Sequence, residues 1–174
     1  MDIRCGVGRL RLFIGTAANN IFIRTNASIS TGVWTHVAIT YTGSGLASGV
    51  TFYINGVSQA TTVFTNTLAS ASNAGDVRLG SYGNGTSLFA GNLFSVVPWS
   101  TALSGANITA LYNGGVPIDA RLSAAAASII AYYRCGNDPI DDATGTTGVI
   151  MDRVGGYKGT PIATVSGSIV TDAP

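Results

Sequence analysis

Glutamate is absent from this 174-residue chain, and lysine and histidine occur once each, at Lys158 and His36. Chemistry built on paired glutamates is thereby excluded, and any carboxylate role falls to aspartate. Charged residues make up only 10% of the chain, against roughly 25% in an ordinary soluble domain, so hydroxyl, amide and glycine groups must form much of the surface. With a net charge of +1 and arginines scattered singly, the chain has no basic stripe for nucleic acid and no polybasic anchor for a membrane. No apolar run approaches the roughly 18 residues of a spanning helix, and no charged and apolar leader for export is visible at the N-terminus. Two cysteines, Cys5 and Cys135, make neither a disulfide framework nor a metal cluster, and buried free thiols are expected. Sequons at Asn26, Asn84 and Asn107 are expected to go unused.

What the chain has is two-residue periodicity. In W-T-H-V-A-I-T-Y, Val37, Ile39 and Tyr41 alternate with His36, Ala38, Thr40 and Thr42, as in a strand wetted on one side. A second alternating segment, Val50 to Ile54, follows a Gly, Ser and Ala-rich stretch, so the pair reads as an antiparallel hairpin. Asn55-Gly56 suits a turn with positive φ at both positions and predicts a third strand from Val57 to Val63. Upstream, R-L-R-L-F-I-G and I-F-I-R-T predict strands over Arg9 to Gly15 and Ile21 to Thr25. Downstream, Asp76 to Tyr82 reads as a strand, Gly83-Asn84-Gly85 as a turn, and Leu88 to Pro98 as the return across the sheet. Ser104 caps a predicted helix from Gly105 to Asn113 with Gly114 as its left-handed stop. The alanine-rich run from Leu122 to Ala131 predicts a helix or helical turn.

These elements and their spacing, from W-T-H-V-A-I-T-Y through F-Y-I-N-G, V-R-L-G-S-Y and F-A-G-N-L-F-S-V-V-P-W to T-A-L-S-G-A-N-I-T-A-L-Y-N-G, resemble the laminin-G-like or concanavalin A-like fold. The resemblance implies an all-β antiparallel jelly-roll sandwich over residues 1–116, followed by a C-terminal appendage over 117–174. It also implies strands upstream of Arg9, which the chain leaves little room for, so either the sandwich is trimmed or a neighbouring chain supplies the edge. The appendage, with Tyr132, Tyr133, Arg134, Gly136, Asp138, Asp152, Gly155, Asp172 and Pro174, resembles a segment that follows such domains in bacteriophage structural proteins. That second resemblance implies a virion surface location, with other virion proteins or copies of the chain as partners.

Function is less determined, because this architecture serves lectins, glycosidases and inert structural domains alike. Asp138, Asp141, Asp142 and Asp152 offer oxygen ligands for calcium, although no calcium-loop register fixes their spacing. Glycoside hydrolysis needs two carboxyls flanking the bond, and the glucanases that share this fold resemble one another through paired glutamates. A chain without glutamate is therefore expected not to be an enzyme. His36 lies on an alternating strand without a nucleophile motif and reads as structural. For glycan binding, the candidates are Tyr82, Asn84, Trp99, Tyr157 and the 43–49 loop, with Trp99 weighed also as sheet-margin packing. Two readings follow: a non-catalytic virion structural protein, as capsid decoration or tail component, and a glycan-binding adhesin module.

Overall fold

Alternation in the first 66 residues is realised as seven strands. They are β1 (Asp2–Gly6), β2 (Arg9–Gly15), β3 (Asn20–Thr25), β4 (Val37–Tyr41), β5 (Val50–Ile54), β6 (Val57–Ser58) and β7 (Thr61–Asn66). The computed structural model describes residues 2–6, 8–70, 78–82, 87–135 and 149–159. Strands β1-β2-β3-β7 form one antiparallel sheet and β4-β5-β6 another. Leu10, Leu12 and Ile14 on β2 share one face with Ile21 and Ile23 on β3, and this face packs with Val50 and Phe52 of the second sheet. Burial of each such side chain contributes about 1.5–3 kcal/mol, and Leu12, Ile21 and Phe52 are wholly buried. The result is an all-β sandwich.

The buried Asn20 and Thr25 side chains in this unit are bonded. The Asn20 amide donates to the carbonyls of Thr16 and Ala17 and accepts from the Thr65 hydroxyl, while the Thr25 hydroxyl donates to Ala27. Asn55 (φ 49°) and Gly56 (φ 76°) make the expected turn. Helix α1 (Gly105–Tyr112) starts at Ser104, whose hydroxyl accepts from the Asn107 amide at 3.2 Å, and buries Ile108.

Residue contacts divide the chain into two units: Met1–Asp76 with Thr101–Ile118, and Val77–Ser100 with Asp119–Pro174. Residues 77–100 thus group with the C-terminal segment. Within the second unit, β8 (Ser81–Tyr82) pairs with β9 (Ser87–Leu88), and β10 (Ile150–Met151) with β11 (Lys158–Gly159). Single bridges join Val96 to Tyr133, Trp99 to Ile129 and Tyr133 to Asp152. No helix among the described residues is long and apolar enough to cross a membrane.

Several expectations are corrected. Residues Asp2–Gly6 form an upstream strand, in register from Asp2↔Phe13 to Gly6↔Arg9. The segment from Val57 to Val63 is not one strand: Gln59 still donates to Phe52 of the second sheet, whereas Ala60 accepts from Asn26 beside the first, so the chain changes sheets there. Of the expected strand Asp76 to Tyr82, only Ser81–Tyr82 is paired among the described residues. Of the two forms expected for the alanine-rich run, a helix or a helical turn, the structure has the second: short 3-10 turns at Ala120–Leu122 and Ala126–Ser128. Ser123 and Ser128 donate back to the Ala120 and Ala125 carbonyls, competing with helical bonding, and Ile130 is drawn into a bond with Pro98. The left-handed stop of α1 is Asn113 itself (φ 48°), with Gly114 following at φ 65°. Neither cysteine is in a disulfide and neither is buried, with Cys5 exposed on β1.

Candidate functional site

A cleft of about 280 Å³ opens in the first unit between the loop after β3, the approach to β4 and the end of β5. Local bonding builds it. The Asn55 turn places its carboxamide oxygen to accept from the His36 amide at 3.0 Å, while the Asn55 amide donates to the His36 carbonyl at 2.9 Å. That reciprocal pair fixes residues 33–36 against the turn. Across the opening, the Ile29 amide donates to the Gly8 carbonyl and sets the position of Ser28 and Ser30.

Trp34 forms one wall and is 45% exposed, beside Val33 and the partly buried Ile54. Polar edges come from Ser28, Ser30, Thr35 and Asn55. Among the described residues, the hydroxyls of Ser28 and Ser30 and the Nδ2 of Asn55 bond to no other protein group. No charged side chain lines the cleft among those residues. An aromatic face beside uncharged donors and acceptors can meet both an apolar C–H surface and a set of hydroxyl groups.

His36 lies next to this cleft and is half-buried, its ring 5.9 Å from that of Tyr112. Burial lowers its pKa and so favours the neutral imidazole. Its Nδ1 has no partner, and it serves the site through its backbone.

The residues singled out from sequence for binding fall elsewhere. Trp99, partly buried, is bridged through its backbone to Ile129. Tyr157 is 61% exposed in the turn before β11, and Tyr82 lies on β8. Asn84, Asp138, Asp141 and Asp142 lie outside the described residues. The 43–49 loop is tied down by its own neighbours: the Gly45 amide donates to the Tyr41 hydroxyl and the Ala47 amide to Asn66.

Asp152 is buried, and its carboxylate is taken up by the backbone. Oδ1 accepts from Tyr132 at 2.7 Å and Val154 at 2.9 Å, and Oδ2 from Tyr157 at 3.2 Å. Burial pushes this carboxyl up, but the amides of Tyr132, Val154, Tyr157 and Gly155 together outweigh it, and the pKa is lowered. Asp152 thereby organises the 152–157 turn, and Gly155 is needed there because a Cβ would lie 2.6 Å from the Ile130 carbonyl oxygen. No group of three metal-ligating side chains is assembled among the described residues.

A family model described as the concanavalin A-like lectin/glucanases superfamily matches residues 4–109. The chain belongs to that superfamily. The match spans β1 to α1 and therefore includes every wall of the Trp34 cleft, while residues 110–174 lie beyond it. No curated protein and no solved structure matches the chain. Within this superfamily member, sequence reasoning overlooked Trp34 as a site residue. The available signal was an aromatic residue set outside the alternation of Val37, Ile39 and Tyr41, amid Ser, Thr and Gly.

Proposed function

We propose that this superfamily member is a non-catalytic recognition module whose Trp34 cleft takes a neutral carbohydrate. The observation that carries the proposal is the half-exposed Trp34 sharing a cleft with exposed, uncharged hydroxyl and amide groups and with no charged side chain among the described residues. Pyranose rings present an apolar C–H face and a rim of hydroxyls, the two surfaces such a cleft complements. Absence of glutamate from the chain and of carboxylates from the cleft supports a role without turnover. The test is an array of neutral and acidic glycans probed with the wild type and Trp34→Ala, with and without calcium. Binding of neutral glycans by the wild type, lost in the variant and unaffected by calcium, is the expected result. Silence of the wild type, or equal binding by the variant, overturns it.

The setting we propose is the surface of a bacteriophage particle, as capsid decoration or tail component, with virion proteins or further copies of the chain as partners. The appendage motif supports it: Tyr132, Asp152 and Gly155, separated in sequence, meet in one hydrogen-bonded turn. Recovery of the chain with purified particles through a density gradient is expected, and its complete absence from them refutes that setting.

A further inference from the structure

The first sheet ends at β1, whose outer edge pairs with no strand among the described residues. Directly opposed residues share a face of a sheet, so Ile3, opposite Leu12, and Cys5, opposite Leu10, belong to the inner face. Leu12 and Leu10 are buried, whereas Ile3 is 50% exposed and Cys5 is exposed as well. The apolar layer therefore runs out to the edge and stops there uncovered. Such an edge is a template for another strand, because alternate amides and carbonyls of an edge strand point away from its sheet.

The sequence of β1 selects the strand that fits. Asp2 and Arg4 flank Ile3 with opposite charges, and Arg4 begins a cross-strand row that continues through Arg11 on β2 to Arg24 on β3. Like charges placed directly opposite destabilise a sheet, and opposite charges stabilise it. That rule separates the ways in which two copies of β1 align. Parallel and in register, Asp2 meets Asp2 and Arg4 meets Arg4. Antiparallel about Arg4, that residue meets itself. Antiparallel about Ile3, Asp2 of each copy stands opposite Arg4 of the other, and Ile3 stands opposite Ile3.

We propose that the β1 edge is occupied by β1 of a second copy, antiparallel and centred on Ile3. The proposal rests on the reading above that copies of the chain are partners, and it names the surface they use. With the two-fold axis perpendicular to the sheet, inner faces stay inner, and the Ile3 side chains join the Leu12 positions of both copies into one apolar row. The four strands of each copy become one continuous sheet. On the outer face, each arginine row ends against Asp2 of the other copy. A two-fold pairing is closed, so no further copy adds along β1. The contact follows a strand of only five residues, which places it among small interfaces that dissociate on dilution.

The experiment is sedimentation velocity of the full chain over a concentration series, for the wild type, Asp2→Arg, Arg4→Asp and an equimolar mixture of the two variants. In the mixture one copy is basic at both positions and the other acidic at both, so alignment about Ile3 is again complementary. The wild type is expected to dimerise and to weaken as salt is raised. Each variant alone should dimerise about tenfold more weakly or worse, and the mixture should regain wild-type association as a heterodimer. A cross-linking arm tests the alignment without changing either charge. Directly opposed residues lie about 4.5–5.5 Å apart at Cα, within disulfide reach, so oxidised Ile3→Cys/Cys5→Ser is expected to form a covalent dimer. Wild-type Cys5 would lie about 14 Å from its counterpart and is expected to form none. A monomer at every concentration overturns this dimer, and the density gradient then judges the virion setting separately. A dimer that the charge variants leave intact, or that the mixture fails to restore, overturns the alignment and leaves copies as partners through another surface. A Cys5 cross-link in the wild type, or none in Ile3→Cys/Cys5→Ser, overturns it as well.

Discussion

Asp152 and His36 are held away from their ordinary ionisation, and each ties pH to a local contact. Asp152 has a folded pKa below 3.8 because backbone amides outweigh its burial. Its contribution to stability is therefore complete above that value and is lost as pH falls through the depressed folded pKa. Asp152→Ala leaves buried amides unpaired and is expected to cost on the order of 3 kcal/mol, read as a lower urea midpoint of the second unit. His36 has a folded pKa below 6.5 because burial disfavours the imidazolium. The unfolded chain thus binds the extra proton first, so stability is complete above 6.5 and declines as pH falls. Denaturation midpoints taken between about pH 5 and 8 should show this slope, and His36→Gln should flatten it. At the cleft, Trp34→Ala is expected to abolish neutral-glycan binding while leaving the melting midpoint within a degree or two, because the indole is half-exposed.

At the scale of elements, the hydrophobic pattern decides most of the outcome. Phe52, wholly buried between the sheets, is expected to cost about 3–5 kcal/mol when replaced by alanine, and Ser104→Ala about 1 kcal/mol through the lost cap of α1, both measurable by chemical denaturation. Strands β2 to β5 and α1 were legible in the sequence because alternation, the Asn55-Gly56 turn and the Ser104 cap are local signals. Strand β1 offers only Ile3 and Cys5 as an alternating pair, too short a signal to separate from chance. The change of sheet at Gln59 and Ala60 depends on which neighbour each backbone group finds, and no local pattern encodes that. Between Leu122 and Ala131, alanine propensity lost to serine back-bonding and to the pull of Pro98 on Ile130. The Trp34 cleft was hidden because its walls lie far apart in the sequence. Ser28, Trp34 and Asn55, like Arg4, Arg11 and Arg24, become neighbours only through the pairing of strands.

For the whole molecule, a sandwich that belongs to a lectin and glucanase superfamily carries no glutamate and presents an uncharged cleft. The recognition without turnover that we propose joins these facts. One edge of β1 is unpaired among the described residues, and Ile3 on it is 50% exposed. Association of copies along this edge predicts a sedimentation mass above that of the monomer, reduced by Ile3→Pro, which removes a backbone donor from the edge. The central claim is tested most directly by following the two tryptophan indole N–H signals in a nuclear magnetic resonance titration with the best neutral glycan from the array. The Trp34 signal is predicted to shift and saturate while the Trp99 signal stays in place and the glycan remains uncut. A Trp99 shift with Trp34 unmoved, or cleavage of the glycan during the titration, contradicts the account.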